Sequence, residues 1–433
     1  MVRRILINVD INEIEYGLFD NTDYSTLYKR LVDERNGNCP NWGNKVWFEG
    51  IVSEITTPHI SYEFKTKDMT AAEINEKYDG VLMPCANIFS VEFMKDMVEL
   101  TAFFKQLSIP VYVISCGLQL DKPENMDTLI TRIRKESVEF IDTVYKTGGE
   151  FCLRGYVTKE FFDKLGFHDA VVAGCPSLFQ MGRNLAVTKQ NVARSEFKAV
   201  INSQNYHLNT RFYHDIFHNY PDSIYIDQDH YYRYLYQPDY FDNSSYSTKE
   251  NIMRIKDKGL LGLKLVANNK LFMFADIPNW IKFLELNPYT FSFGARIHGN
   301  ITSILSGIPA MVHICDCRTQ EIAEYYNIPT ITDADLKKEK DIWDIYEKLD
   351  YTEFNRTYPA KFDAFENFLR KCDLVENINQ DNIFINLPSN HEGALPTIEN
   401  ADSLSRITSD LDKKSSFYTL VDSSFNLYRK ILK

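Results

Sequence analysis

Short apolar runs alternate along the chain with longer stretches in which apolar positions recur at helical spacing. This is the pattern of parallel strands joined by amphipathic helices. In the first half the strand-like runs are Ile5–Val9, Gly80–Met83, Val111–Ser115 and Ala170–Ala173, and helical patterns cover Val91–Leu107 and Thr158–Leu165. Gly166 stands where the second of these helices should end, as a C-cap before the next strand. The spacing between runs leaves room for crossover helices, so a parallel sheet is predicted. A second series of strands begins at Lys198–Asn202 and continues with Ser223–Asp227, Leu271–Ala275, Tyr289–Phe293, Ala310–Ile314 and Thr330–Thr332.

Between the two series, Phe179–Lys198 is polar and reads as a linker. A chain of 433 residues exceeds the roughly 250–300 at which single cores stop growing, so two domains are expected. The boundaries are drawn at 1–190, 191–372 and a C-terminal extension at 373–433. Tyr225–Tyr246, rich in Tyr and Asp, reads as a loop or cover. Asp341–Cys372 is helical, with Pro359 predicted to interrupt it. Asn377–Arg406 is polar, and a last helix, Ser415–Leu432, carries a core-packing apolar face.

Composition narrows the function. The hydrophobic share of 44% and aromatic share of 14% fit a globular protein. A formal net charge of -12 argues against nucleic-acid binding, which needs a basic surface. Any anionic substrate must therefore meet a local basic pocket. The opening MVRRILINVDINEIEYG turns acidic without a small-residue cleavage site, so it reads as a first strand and not as a signal peptide. No run reaches about 18 apolar residues, so no transmembrane helix is expected. The eight cysteines show no CxxC spacing, which suggests a reducing cytoplasm. Cys315 and Cys317 flank Asp316 and could touch one metal ion, but no second ligand pair stands nearby in sequence. They read as reduced, partly buried thiols, and neither a metal nor a cofactor is expected.

Four segments carry candidate chemistry. In GARIHGN, Gly294–Asn300, a loop follows an apolar strand and opens a helix expected over Asn300–Ser306. Amides at a helix N-terminus and the positive dipole end suit an anion. Arg296 adds a planar cation that matches carboxylate or phosphate, and His298 is a proton donor or acceptor near neutral pH. Amides around Gly299, Asn300 and Ile301 complete the predicted anion site. In FCLRGYVTKEFFDKLGF, Arg154 sits at a strand-to-helix turn, and in VVAGCPSLF, Ser177 follows a tight turn and could bind an anion or cap a helix. In NCPNWGNKVWFEGI, the turn residues Asn41, Gly43 and Asn44 suit sugar hydroxyls or a phosphate. In HICDCRTQE, Asp316, Arg318 and Glu321 could line a cleft, but a structural network of salt bridges is the favoured reading. GxGxxG is absent after the first strand, and GxxxxGK[ST], HExxH and GxSxG are absent throughout.

The ordered set LRG…T, GCPSL, GARIHGN, GIP and DCRTQE, with NWGNKVWFEGI upstream, resembles the polysaccharide pyruvyl transferase family over roughly Asn38 to Pro329. The resemblance implies an α/β fold of two Rossmann-like domains with parallel sheets facing across a cleft, similar to glycosyltransferase-B, followed here by a helical tail. It implies phosphoenolpyruvate as donor and a pair of saccharide hydroxyls as acceptor, the acceptor held by the first domain. The family's Arg-x-His carries over to Arg296 and His298, and its upstream Arg to Arg154. Asn87 is a further candidate substrate contact, in MPCANIF, where Cys85 and Ala86 replace the usual glycines. INSQNYHLN likewise departs from the family's Ser-x-Arg segment, with no Arg before Arg211. On this reading His298 is the general acid, Arg296 clamps the donor, and Arg154 binds phosphate or assists the acceptor electrostatically. A cytoplasmic enzyme is expected, compatible with a lipid-linked acceptor and peripheral contact at the inner membrane face. Two alternatives stand beside it: a nucleotide-sugar glycosyltransferase of the same fold, and a saccharide-binding protein without chemistry.

Overall fold

The computed structural model describes residues 2–8, 43–55, 60–66, 68–120, 125–204, 207–208, 210–228, 261–274 and 277–375. In the first domain the order is β1 (Arg3–Ile7), α1 (Gly43–Ile55), β2 (Ile60–Phe64), α2 (Ala71–Lys77), β3 (Gly80–Pro84), α3 (Met94–Phe104), β4 (Val111–Cys116), α4 (Met126–Lys146), β5 (Glu150–Leu153), α5 (Tyr156–Leu165) and β6 (Val171–Val172). Two 3₁₀ turns, Pro176–Met181 and Arg194–Glu196, lead onward. Next come β7 (Ala199–Ile201), α6 (Arg211–Asn219), β8 (Ile224–Ile226), α7 (Leu261–Ala267), β9 (Leu271–Phe272), α8 (Ile277–Leu286), β10 (Phe291–Gly294), α9 (Ile297–Leu305), β11 (Ala310–Ile314), α10 (Cys317–Tyr326) and β12 (Thr330–Thr332). The helices α11 (Asp333–Leu336), α12 (Ile342–Glu347) and α13 (Thr352–Lys371) follow.

Each domain is built on one six-stranded sheet, ordered β2-β1-β3-β4-β5-β6 and β12-β11-β10-β7-β8-β9. Every strand pair is parallel. These are the two Rossmann-like domains that the family resemblance implies. The strand order reverses between β1 and β3 in one sheet and between β7 and β10 in the other. Open parallel sheets hold ligands at such a switch point, outside the carboxyl ends of the strands.

Alternation fixes which face each residue serves. Ile5 and Ile7 enter a core shared with the second domain, while Leu6 enters a core of the first domain alone. Leu82, Tyr112 and Ile114 join the shared core, and Val81, Met83, Val111 and Val113 the other. This is the period-2 geometry of a strand covered on both faces. The shared core has a physical cause in α1, which packs on the Pro176–Met181 turn and on α8 and α9. A Cβ at Gly50 would stand 2.8 Å from the Pro176 carbonyl oxygen, so glycine lets α1 approach the turn.

The α13 helix returns to the first domain. Arg183 pairs with Asp363 at 2.7 Å, Lys371 with Glu150 at 2.6 Å, and Tyr358 Oη donates to the carbonyls of Leu178 and Gly182. Pro359 lies inside this helix without breaking it. Its missing N–H costs one intrahelical bond, and the helix continues through it with Phe354, Tyr358, Phe362, Phe365 and Leu369 on its buried face. The strand β2 had no clear signal in the sequence. The expected cover Tyr225–Tyr246 lies mostly, and the helix Ser415–Leu432 wholly, outside the described residues. No helix among the described residues is long and apolar enough to cross a membrane.

Phe179 lies at the centre of an aromatic cluster between the domains. It is fully buried, stacks on Phe365 at 5.0 Å and meets the rings of Tyr326, Phe362 and Tyr358. Phe179→Ala is expected to cost about 3–5 kcal/mol of stability. Chemical denaturation would read this as a lower midpoint, with an unchanged circular dichroism spectrum before the transition.

Candidate active site between the two sheets

The carboxyl ends of both sheets face one cavity of about 470 Å³. Its walls come from the loops that directly follow strands: Ala86 and Asn87 after β3, Gln119 after β4, Arg154 after β5. From the second domain come Gln204 after β7, Gln228 after β8, Arg296 and His298 after β10, and Asp316 and Arg318 after β11. Asn44 and Trp47 reach in from α1.

The GARIHGN loop lies at the switch point of the second sheet. The Arg296 amide donates to the Asn202 carbonyl at 2.9 Å, tying the end of β10 to that of β7. Gly294 has φ 147°, and a Cβ there would lie 2.0 Å from that same carbonyl oxygen, so only glycine permits the crossing. The helix starts at Ile297, three residues before the expected Asn300. The Asn300 amide already bonds to the Arg296 carbonyl at 3.1 Å. The amides that precede this first intrahelical bond are therefore those of Ile297, His298 and Gly299.

This shift re-assigns several expected contacts. Asn300 and Ile301 do not line the cavity. Asn300 is fully buried and stitches the loop, donating to the Gly294 and Arg296 carbonyls and accepting from Ser292. Ile301 belongs to the core. Gly299 packs against the amide groups of Asn202 and Gln228, where a Cβ would come within 2.4 Å of both. Ser177 is also buried away from the cavity, and its hydroxyl donates to Cys175 Sγ at 3.2 Å. Gly43 begins α1 and is buried, Asn44 and Asn87 line the cavity, and Asn41 lies outside the described residues. Asn87 Nδ2 donates to Gln119 Oε1 at 2.6 Å. Arg211 sits on α6 with its side chain 94% exposed, remote from this role.

Arg154 is the strongest electrostatic feature. It is 3% exposed, and among the described residues its Nε and Nη2 have no hydrogen-bond partner. A buried cation with unmet donors on a cavity wall is costly unless an anion arrives to meet it. Arg296 and Arg318 stand on the opposite wall. Arg318 Nη2 donates to Asp316 Oδ2 at 2.8 Å, and Asp316 also caps α10 by accepting from the Thr319 amide. Burial alone would raise the Asp316 carboxyl, but Arg318 and the Thr319 bonds hold it below its ordinary value.

His298 is buried at the base of this group, its Nε2 3.8 Å from Cys175 Sγ. Burial, then the charges of Arg154 and Arg318, push its pKa down to about 3. The imidazole is therefore neutral in the resting pocket. Behind Cys175, burial pushes the Glu54 carboxyl well up, and among the described residues neither of its oxygens has a partner.

The HICDCRTQE segment divides between two tasks. Asp316 and Arg318 line the cavity, against the favoured structural reading, whereas Glu321 is structural. Its carboxylate accepts from the Thr158 amide at 2.6 Å and from the Thr158 hydroxyl at 3.0 Å. It thereby caps α5 from the other domain, where Gly155 offers no side chain for the purpose. Cys317 faces the first domain and accepts from the Leu120 amide at 3.2 Å. The residues that sequence reasoning passed over, Gln119, Gln204 and Gln228, share one signal: each is a polar residue just beyond a strand's carboxyl end.

The depressed His298 has a consequence for stability. Between pH 6.5 and about 3 the unfolded chain binds a proton that the native site rejects, so this residue lowers stability as pH falls through that window. His298→Gln should flatten the acid side of a plot of melting temperature against pH. An equally steep acid slope in the variant would mean that other groups set it.

Among solved structures the chain is similar to a putative UDP-N-acetylglucosamine 2-epimerase from Listeria monocytogenes, at 10% identity over 88% of this chain and 99% of that one, TM-score 0.42. It is similar at 14% identity to the UDP-GlcNAc 2-epimerase of Methanocaldococcus jannaschii in complex with UDP-GlcNAc and UDP, over 95% and 100% of the two chains, TM-score 0.38. A third, from Rickettsia bellii, covers 86% of this chain and 97% of its own at 10% identity, TM-score 0.40. No curated protein matches the chain. The model of one family matches residues 86–313, more than half of the chain, from the β3 loop that carries Asn87 through Arg154, Arg296 and His298 to β11. The chain belongs to the polysaccharide pyruvyl transferase family.

Proposed function

We propose that this protein transfers the enolpyruvyl carbon skeleton of phosphoenolpyruvate to two hydroxyls of a saccharide, giving a cyclic pyruvate ketal and inorganic phosphate. The observation that carries the reading is the convergence of Arg154, Arg296 and Arg318 with His298 on one cavity between the sheets. A donor with a phosphate and a carboxylate brings opposite charge to three guanidinium groups, and Ile297 and His298 at the start of α9 line the same cavity.

The chemistry begins with a proton added to the donor's methylene carbon, which becomes a methyl group. The neighbouring carbon takes on cationic character and is attacked by one saccharide hydroxyl, which loses its proton. The second hydroxyl then displaces phosphate and closes the ring. Of the two hydroxyl protons lost, one balances the proton placed on the methyl carbon and the other leaves with the phosphate. His298 is the proton donor in this scheme, Arg296 and Arg318 hold the donor's anionic groups, and Arg154 meets the departing phosphate. Asn44, Asn87 and Gln119, on the first-domain side, suit saccharide hydroxyls.

The neutral state of His298 adds a requirement. After burial, the charges that depress it are those of Arg154 and Arg318. An incoming polyanion offsets both, though not the burial, so donor binding should raise the imidazole's affinity for a proton. Phosphoenolpyruvate binding should therefore take up a proton near neutral pH, read by calorimetry in buffers of different ionisation enthalpy. Buffer-independent heats would remove the acid role from His298 and leave it as base toward the acceptor hydroxyl.

Turnover is tested by incubating the protein with phosphoenolpyruvate or sugar nucleotides and candidate glycans, following phosphate release and product mass. A pyruvyl ketal supports the proposal, a transferred hexose supports a glycosyltransferase, and glycan binding without product supports a binding protein. His298→Ala should lower kcat by ~10²–10⁴ with the fold retained, and normal turnover in that variant would sink the assignment.

A further inference from the structure

A second cluster sits beside the cavity and takes no part in the scheme above. The side chains of His207, His313 and Cys315 bring one ligand atom each to within 4.8 Å of one another. They come from the loop after β7 and from the end of β11, elements that sequence separates but the sheet places two strands apart. We propose that these three residues bind one zinc-class divalent ion, with the fourth coordination position left to solvent or a ligand.

The chemistry of the set favours such an ion. Two imidazoles and a thiolate are the borderline-soft donors that zinc selects over the hard oxygen donors of magnesium or calcium. Zinc bonds of about 2.0–2.3 Å place tetrahedral ligand atoms about 3.4–3.7 Å apart, so closing the cluster needs a movement of about 1 Å.

The surrounding groups orient the rings as a metal site requires. His313 Nε2 bonds to Asp333 Oδ1 at 2.8 Å, which leaves Nδ1 as the ligating nitrogen. His313 is 3% exposed, and among the described residues Nδ1 has no hydrogen-bond partner. A buried imidazole nitrogen with nothing to bond is unusual, and coordination would satisfy it. On His207, Nδ1 bonds to Ser203 Oγ at 2.7 Å, assigning Nε2 to the ion. Carboxylate or hydroxyl partners on the outer nitrogen recur at metal-binding histidines, where they fix the tautomer and raise basicity. The rings are also held flat, His313 against Phe293 and His207 against Tyr213.

Charge closes as well. The Cys315 thiolate and Asp333 together offset a divalent cation, so the site adds no net charge beside Arg296, whose field reaches His207. Cys317, two residues on, is turned to the first domain and is not a ligand. The ion would pin the loop that carries Gln204 to the strand that leads to Asp316 and Arg318, two parts of the cavity wall. This does not depend on the identity of the donor.

The test uses the full-length protein, stripped with a chelator and titrated with Co²⁺. One equivalent should produce intense visible bands of four-coordinate Co²⁺ and a near-ultraviolet thiolate charge-transfer band, both displaced by Zn²⁺. Cys315→Ser should abolish the charge-transfer band, and Cys317→Ser and Cys175→Ser should retain it. Asp333→Asn should weaken binding by ~10–100-fold. Near-ultraviolet circular dichroism checks that each variant is folded. Absence of the bands at one equivalent, or a charge-transfer band that survives in folded Cys315→Ser, overturns the proposal.

Discussion

The carboxylate of Glu321 closing the open end of α5 is the contact on which the site depends. Among the described residues, α5 has no side-chain cap of its own, because Gly155 occupies its N-cap. Thr158 instead bonds to an acid 163 positions away, on α10 of the other domain. A Cβ at Gly155 would lie 2.4 Å from Glu321 Cγ, so the two domains meet with no room to spare. Burial raises this carboxyl, while the Thr158 bonds and the charge of Arg154 oppose the rise. One carboxylate thus joins the domains and sits beside the most deeply buried cation of the cavity wall.

Once that distance is set, the electrostatics follow. Arg154 comes from the turn just before α5, and Arg296 and Arg318 from turns of the facing sheet. Like charges converge because each is fixed by its own backbone: the Arg154 amide bonds to the Cys116 carbonyl and the Arg296 amide to that of Asn202. Their mutual repulsion is carried by the fold. Burial first, and then the charges of Arg154 and Arg318, depress the His298 imidazole, so the charge state of the cavity bears on its protonation.

The fold of the site was largely legible in the sequence. Strands such as Val111–Cys116 and Ala310–Ile314 are apolar runs, and buried parallel strands need no other signal. Arg154, Arg296 and His298 stand out by their place directly after strand ends together with the family's Arg-x-His and upstream Arg, and all three line the cavity. Asn300 and Ser177 were misjudged for one reason. Their letters suit both an anion contact and an internal hydrogen bond, and a helix beginning three residues earlier turned Asn300 inward.

By itself, then, the sequence determined two parallel sheets, loops at their carboxyl ends and a basic, titratable junction at Gly294–His298, because these follow from periodicity and local backbone chemistry. Tertiary structure alone decided which side chains face one another. It separated Cys315 from Cys317, sending one to His207 and His313 and the other to Leu120. It made Glu321 a cap and Arg318 a cavity cation, although they stand only three positions apart. The reason is that a side chain's role depends on the direction it leaves its helix or strand and on what the other domain places there. Neither is encoded within any short stretch of the chain.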